Sequence, residues 1–358
     1  MKNKINTFFE KIFAPVDLMV FMIWIELTKG ALIILVEYPF GYDYVSYMEQ
    51  AKLFVDGERN LTSIEAENGK AYYPASHLYT FSVFYKLTGI LDHYKYAQIL
   101  LLFIHLVMNF VTVKIYKECF KDAPRDWWLL AVWALNTRLV ENWARGLFAE
   151  SFNVTLTYIA IYLFQKQQQF AGIIFIGLAL TYKMNVLLYI PAVYYLTSLS
   201  RNIYVGTFYL AIIVSMSFIF AIPFLTEYRD DYMKTAFNFS RKFSIHSSVL
   251  YYWLIPKPIF NSSIFGAFLL SGHIGGLIYV LFTRWLPLLD ENKKFNFVKI
   301  LKRFFRINPS YREHHPYFVA EVFFVCNYMG TAFSRTLHQQ FIIWFWYSIP
   351  ILLYPALK

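Results

Sequence analysis

The stretch FSRTLHQQF, Phe333 to Phe341, stands between two long apolar runs, VAEVFFVCNYMGTA (319–332) and IIWFWYSIPILLY (342–354). Runs of that kind read as helices buried in a bilayer, and the polar junction between them reads as a turn at its surface. Arg335 and His338 are three residues apart, so on a helix or turn they point the same way. The rest of the chain repeats the pattern. Of 358 residues, 58% are hydrophobic and 21% aromatic, while only 16% are charged; the mean hydropathy is +0.41. A soluble domain carries about 45–50% apolar residues and about 25% charge. The composition is that of an all-α polytopic membrane protein. Its 29 Tyr and 37 Phe suit the interfacial belts where amphipathic rings settle.

A net charge of +10 raises the question of nucleic acid. Membrane chains also gather Lys and Arg in cytoplasmic loops, and no basic patch here is interleaved with a soluble fold, so no nucleic-acid partner is expected. Cys119 and Cys326 offer neither a disulfide framework nor metal-ligand spacing. The first apolar run, Leu18 to Val36, lacks a small-residue cleavage site and reads as a signal anchor.

Apolar windows place spans near 17–36, 96–116, 127–141, 151–164, 170–182, 186–199, 203–224, 262–283, 316–333 and 339–356. The segment HLYTFSVFYKLTGI (77–90) is short and carries Lys86, which fits an interfacial or re-entrant helix. Parity supports that reading. The basic N-terminus MKNKINTFFEK and the run KKFNFVKILKRFFR (293–306) share a side only if 77–90 does not span. The expectation is a single domain over 1–358, about ten spans and cytoplasmic termini. Loops 37–95 and 225–261 are then luminal, and the basic loop 284–315 is cytoplasmic.

On this layout the polar segments that could carry chemistry share the luminal face. In VEYPFGYDYVSYMEQAKLF, Asp43 is either the N-cap of the helix that follows or a carboxylate placed to take a proton from a substrate hydroxyl. Lys183, in TYKMNVLLYIP, either snorkels to the headgroups or meets a phosphate, with Asn185 beside it. In FNFSRKFSIH, Arg241, Lys242 and His246 fall within six positions, and an arginine can clamp phosphate oxygens bidentately. Arg335 and His338 are either a satisfied helix-end pair or further anion ligands. One acid and several cations on one face are what glycosyl transfer from a lipid-linked phosphosugar requires. A transporter or flippase would instead show internal repeats, and KIYKECFKD (114–122) has no counterpart in the second half. There is no Asp-x-Asp pair in the first loop, and Asp230 and Asp231 are adjacent, diverging by about 100° on a helix. No metal and no cofactor are expected.

These motifs resemble a known family. GYDYVSYMEQ followed by YYPASH is similar to the first-loop signature of the dolichyl-phosphate-mannose-dependent α-1,3-mannosyltransferases of the endoplasmic reticulum, glycosyltransferase family 58 of the GT-C superfamily. YKMNVLLYIP resembles that family's Val-Lys-Met-Asn-Val-Leu-Leu segment. PFL (223–225) with AFNFSRKF resembles its Pro-Phe-Leu region, and CNYMGTAFSRTLHQQF its Asn-Phe-x-Gly-x-x-Phe-Ser-Arg-Ser-Leu-His-Tyr-Gln-Phe run.

The resemblance implies a GT-C-type bundle with short interfacial helices in the first luminal loop. It implies inverting transfer of mannose from dolichyl-phosphate-mannose to a five-mannose dolichyl-diphosphate oligosaccharide in the endoplasmic reticulum membrane. A neighbouring expectation is another dolichyl-phosphate-mannose enzyme, acting at a later oligosaccharide or glycolipid-anchor step. Asp43 matches the loop aspartate used as candidate base. Lys183, Asn185, Arg241, Arg335, His338 and His77 fall in matching motifs and, with His246 of the neighbouring cation cluster, are candidate substrate-binding residues.

Departures are local. Tyr44 replaces the family's Trp, and Ser76 its Gly. RLVENWARGLFAE (138–150) keeps Arg138 but carries Glu150 where Asp is usual, both candidates for substrate binding. The chain ends at Lys358, sooner than family members, so a terminal span or retention signal is expected to be absent or dispensable.

Overall fold

The computed structural model describes residues 15–36, 41–90, 92–121, 136–238, 254–287, 296–306 and 313–357. Helix α1, Pro15–Val36, is followed by α2, Tyr42–Val55, a small antiparallel hairpin, Glu65–Ala66 with Gly69–Lys70, and α3, Ala75–Thr88. Next come α4, Tyr94–Cys119; α5, Thr137–Ala144; α6, Glu150–Gln165; α7, Gln169–Tyr182; a 3-10 segment, Met184–Tyr189; and α8, Ile190–Ser200. The chain continues through α9, Ile203–Leu225; α10, Arg229–Ala236; α11, Lys257–Phe260; α12, Ser263–Val280, extended by a π turn; and α13, Phe297–Phe304. It closes with α14, Pro316–Ala332, a 3-10 segment, Gln339–Trp344, and α15, Ile349–Leu357.

The all-α expectation holds. Among the described residues three helices are long and apolar enough to cross a membrane: Tyr94–Cys119, Ile203–Leu225 and Ser263–Trp285. The windows at 186–199 and 339–356 are not single helices, because each opens on a 3-10 segment. At the first of these breaks α7 stops where Lys183 turns extended (φ −156°, ψ 137°), and Pro191 at the start of α8 restarts the helix. The window 127–141 falls largely outside the described residues.

Polar side chains mark two ends of the bundle. At one end Gln165, finishing α6, donates to the carbonyls of Ile115 (3.2 Å) and Pro316 (3.1 Å), and Gln169 donates to Ser200 at 2.8 Å. At the other end the first loop rests on the helix termini. Ser76 and Thr181 share a hydroxyl hydrogen bond of 2.7 Å, and the Ala75 amide donates to the Tyr232 hydroxyl at 3.1 Å. Between the ends lies an apolar core from α4, α6, α7, α8, α14 and the 3-10 segment 339–344, including Tyr158, Ile176, Val193, Phe323 and Ile343. A carboxylate inside an apolar helix is costly unless paired. Glu26 of α1 is paired twice, with Lys29 one turn on (3.0 Å) and with His105 of α4 (3.2 Å).

Candidate functional site

The first-loop end gathers several of the sequence candidates. Lys183 is 5% exposed and forms an ion pair with Glu150, which is fully buried at the first position of α6. Three rings surround the ammonium: Tyr73 at 4.8 Å, Phe341 at 5.2 Å and Trp344 at 5.5 Å from its nitrogen. An ammonium held against aromatic faces gains from the ring quadrupole, most where water is excluded. Lys183 therefore does not snorkel. Neighbouring Asn185 accepts from the Asn153 amide at 2.9 Å.

Asp43 is not the cap of its helix. Gly41 holds that position in α2, and Asp43 is half-buried in the first turn. Its charge acts on Lys183 and on Tyr47, one turn along α2. Burial raises the Tyr47 phenol well above its ordinary value, and Tyr73, Glu150 and Asp43 push in the same direction. The placement of α2 depends on glycine: a Cβ at Gly41 would run into the Gly146 carbonyl, in the turn that leads to Glu150. In that turn Leu147 is buried at φ 49°, a left-handed conformation costing a branched residue about 1–2 kcal/mol. The altered 138–150 segment is thus packed directly against the helix of Asp43.

His77 lies in a ring stack, 4.6 Å from Tyr47, 4.4 Å from Tyr73, 4.7 Å from Phe81 and 5.3 Å from Tyr182. Burial holds its pKa well below the usual histidine range, and the Lys183 charge adds to the effect. The imidazole is neutral at physiological pH. His77 Nε2, Glu150 Oε2 and the Tyr182 hydroxyl are buried with no hydrogen-bond partner.

The segment 333–341 reaches Lys183 through a different residue than its charges suggest. Arg335 donates from Nη2 to the Ser262 carbonyl at 3.1 Å and lies over Gly266 of α12. His338 packs edge-on against Phe341 at 5.3 Å, and Phe341 stacks on Trp344 at 4.0 Å. Phe341 is the link. Arg241 and His246 lie outside the described residues, and of Arg138 only the backbone, in α5, is described.

Sequence reasoning did not single out Tyr47, Tyr73, Phe341 or Trp344. A weak signal was present for Tyr47, which follows Asp43 by four residues, the spacing that stacks side chains on one helix face.

Comparison with known proteins supports the motif resemblance over most of the chain. A Dictyostelium discoideum protein named "Probable Dol-P-Man:Man(5)GlcNAc(2)-PP-Dol alpha-1,3-mannosyltransferase" is 28% identical over 346 residues, covering 88% of this chain and 75% of its own. The Arabidopsis thaliana and human proteins of that name, without the "probable", are 30% and 25% identical; each alignment covers 87% of this chain, with 71% and 69% of theirs. No solved structure matches the chain. The profile of the ALG3 protein family matches residues 19–357, so the chain belongs to that family.

Proposed function

We propose that the protein transfers mannose from dolichyl-phosphate-mannose to the lipid-linked oligosaccharide Man(5)GlcNAc(2)-PP-dolichol, forming an α-1,3 linkage. The reading is carried by the shared name of relatives that align over most of the chain. The packing of an acid beside a buried, ring-caged cation at one end of the bundle agrees with it.

In this reading Asp43 is the base. It takes the proton of the acceptor hydroxyl as that oxygen attacks the anomeric carbon of mannose. The bond from that carbon to the phosphate oxygen breaks with inversion, and dolichyl phosphate leaves with the electron pair. Negative charge grows on the departing phosphate, so positive groups near it lower the barrier. Arg335 and Arg241 supply that charge, and His338 and His246 are hydrogen-bond donors to the phosphate oxygens, while Lys183 is already committed to Glu150. The buried Nε2 of His77, Oε2 of Glu150 and hydroxyl of Tyr182 supply hydrogen-bonding capacity that sugar hydroxyls complete.

The same reading puts the protein in the endoplasmic reticulum membrane, in one GT-C-like domain of about ten spans. The site then faces the lumen, and the termini and loop 284–315 face the cytoplasm, in accord with the basic runs.

The test is an assay of the purified full-length protein in detergent with both lipid-linked substrates, followed by linkage analysis of the product. One added α-1,3 mannose is the expected result. Asp43→Asn is expected to lower turnover by about 10²–10⁴-fold, the usual contribution of a general base, with donor binding retained. Transfer only to a larger acceptor would reassign the step. Near-normal turnover by Asp43→Asn would remove that residue as base.

A further inference from the structure

Helix α13 has the sequence FVKILKRF and is followed by Phe305 and Arg306. Eight residues make about 12 Å of helix, so it cannot cross the roughly 30 Å of a hydrocarbon core. At about 100° per residue its side chains fall on three successive arcs. Ile300 and Phe304 form the first and pack on the bundle; the Phe304 ring is 6.3 Å from Tyr195, which stacks on Trp285 at 5.4 Å. Phe297, Leu301, Phe305 and Val298 form the second, and all four are exposed, Phe297 by 58% and Val298 by 59%. Lys302, Arg306, Lys299 and Arg303 form the third.

The helix is also fixed in depth. Arg306 donates to the carbonyls of Arg201 (2.8 Å) and Ser200 (2.9 Å), and the Asn202 amide donates to the Arg306 carbonyl at 3.0 Å. These bonds tie it to the point where α8 ends and α9, one of the three long apolar helices, begins at Ile203. Tyr204, in the first turn of α9, is exposed as well. The open apolar arc of α13 is therefore level with the entry of a span, at the end of the bundle remote from Lys183.

We propose that α13 docks on the bilayer surface. Phe297, Val298, Leu301 and Phe305 sink into the boundary between headgroups and acyl chains, and Lys299 and Lys302 meet anionic headgroups. A basic arc flanking an apolar one is the pattern of helices that lie in the interface plane. Anionic lipid is the occupant that matches both arcs together, its acyl chains meeting the apolar arc and its headgroup charge complementing the basic arc beside it. On the orientation proposed above, the leaflet is the cytoplasmic one; the contact itself does not rest on the transferase reading.

The test places a nitroxide spin label at Leu301→Cys and, separately, at Lys302→Cys in the full-length protein. The native Cys119 and Cys326 are buried. Each variant is reconstituted in phosphatidylcholine alone and with phosphatidylserine added, and collisions with oxygen and with a water-soluble nickel chelate are compared. The label at 301 is expected to favour oxygen and the label at 302 the chelate. Adding Lys299→Glu is expected to raise chelate access at 301 several-fold in the phosphatidylserine bilayer and little in the neutral one. Phe305→Cys repeats the measurement if Leu301→Cys is not recovered. Chelate access at 301 equal to that at 302 in both bilayers would overturn the proposal. So would a label at 301 shielded from both probes, which means protein covers the face. A response to Lys299→Glu that ignores lipid charge would overturn the anionic contact.

Discussion

Two ion pairs at opposite ends of the bundle use the same chemistry in different surroundings. Lys183 and Glu150 are 5% and 0% exposed, under three aromatic rings. Arg284, in the π turn that extends α12, joins Glu321 of α14 with 48% of its side chain open. Its partner Glu321 is 5% exposed, so in this pair water reaches the guanidinium and largely misses the carboxylate. A buried pair has given up that solvation, so losing one partner strands the other in a medium that cannot support it. At the first-loop end both charges are withdrawn from water; at the other end one of the two is half open to it.

The largest effect expected is on stability at that end. Lys183→Met leaves the Glu150 carboxylate alone and is expected to cost roughly 3–5 kcal/mol, read by denaturant unfolding in detergent. Combining it with Glu150→Gln is expected to cost less than the sum of the single changes, because the stranded charge is removed. A Lys183→Met variant as stable as the parent would break the comparison.

The next effect tests how α2 is seated. Gly41→Ala drives a methyl into the Gly146 carbonyl and is expected to cost about 1–3 kcal/mol, with turnover falling as Asp43 shifts. Gly275→Ala is the control, since a Cβ there meets nothing within 4 Å; in a helix this change is neutral or stabilising by up to about 1 kcal/mol. Equal losses at both positions would mean that the close approach of Gly41 and Gly146 is not what matters.

A third effect appears in the pH dependence. The folded pKa of His77 lies well below the ordinary value of 6.5, so the unfolded chain takes up its proton first as pH falls. The stability this neutral histidine contributes is complete above about pH 7 and is lost as pH drops through 6.5 toward the folded pKa. His77→Phe is expected to flatten that part of the curve relative to the parent. An unchanged slope would mean that the imidazole is not held neutral by the stack.

The smallest effect is at the far end. Arg284→Gln is expected to cost less than Lys183→Met, because the half-open site of the guanidinium lets water in to the Glu321 carboxylate that is left. A loss approaching that of Lys183→Met would show that exposure is a poor guide to the two pairs.

Much of the site was legible one residue at a time. Asp43 and Lys183 stood out as charged groups between apolar runs, Glu150 and His77 through the family motifs; Lys183, Glu150 and His77 lie together at the first-loop end, and the Asp43 charge acts there. Their roles in the packing were less legible. Lys183 invited a choice between headgroups and phosphate, yet its partner is an acid 33 positions away in sequence. Arg335 and His338 drew attention because they are charged or titratable, but the contact from their segment to Lys183 is made by Phe341 and Trp344. Aromatic residues in a chain with 37 Phe and 29 Tyr carry no individual signal, so nothing marked these two.

What the sequence by itself determined is the helical membrane character, the set of polar junctions and the motifs that place the chain in its family. Hydropathy and motif order are local properties, and local properties can be read along a line. Only the tertiary structure decided that Glu150 neutralises Lys183, that Gly41 lets α2 settle on the Gly146 turn, and that Phe341 and Trp344 close over the ammonium. Each of these depends on which helix ends meet. That is set by packing among α2, α6, α7 and the 339–344 segment, where burial makes a charge costly until one particular neighbour satisfies it.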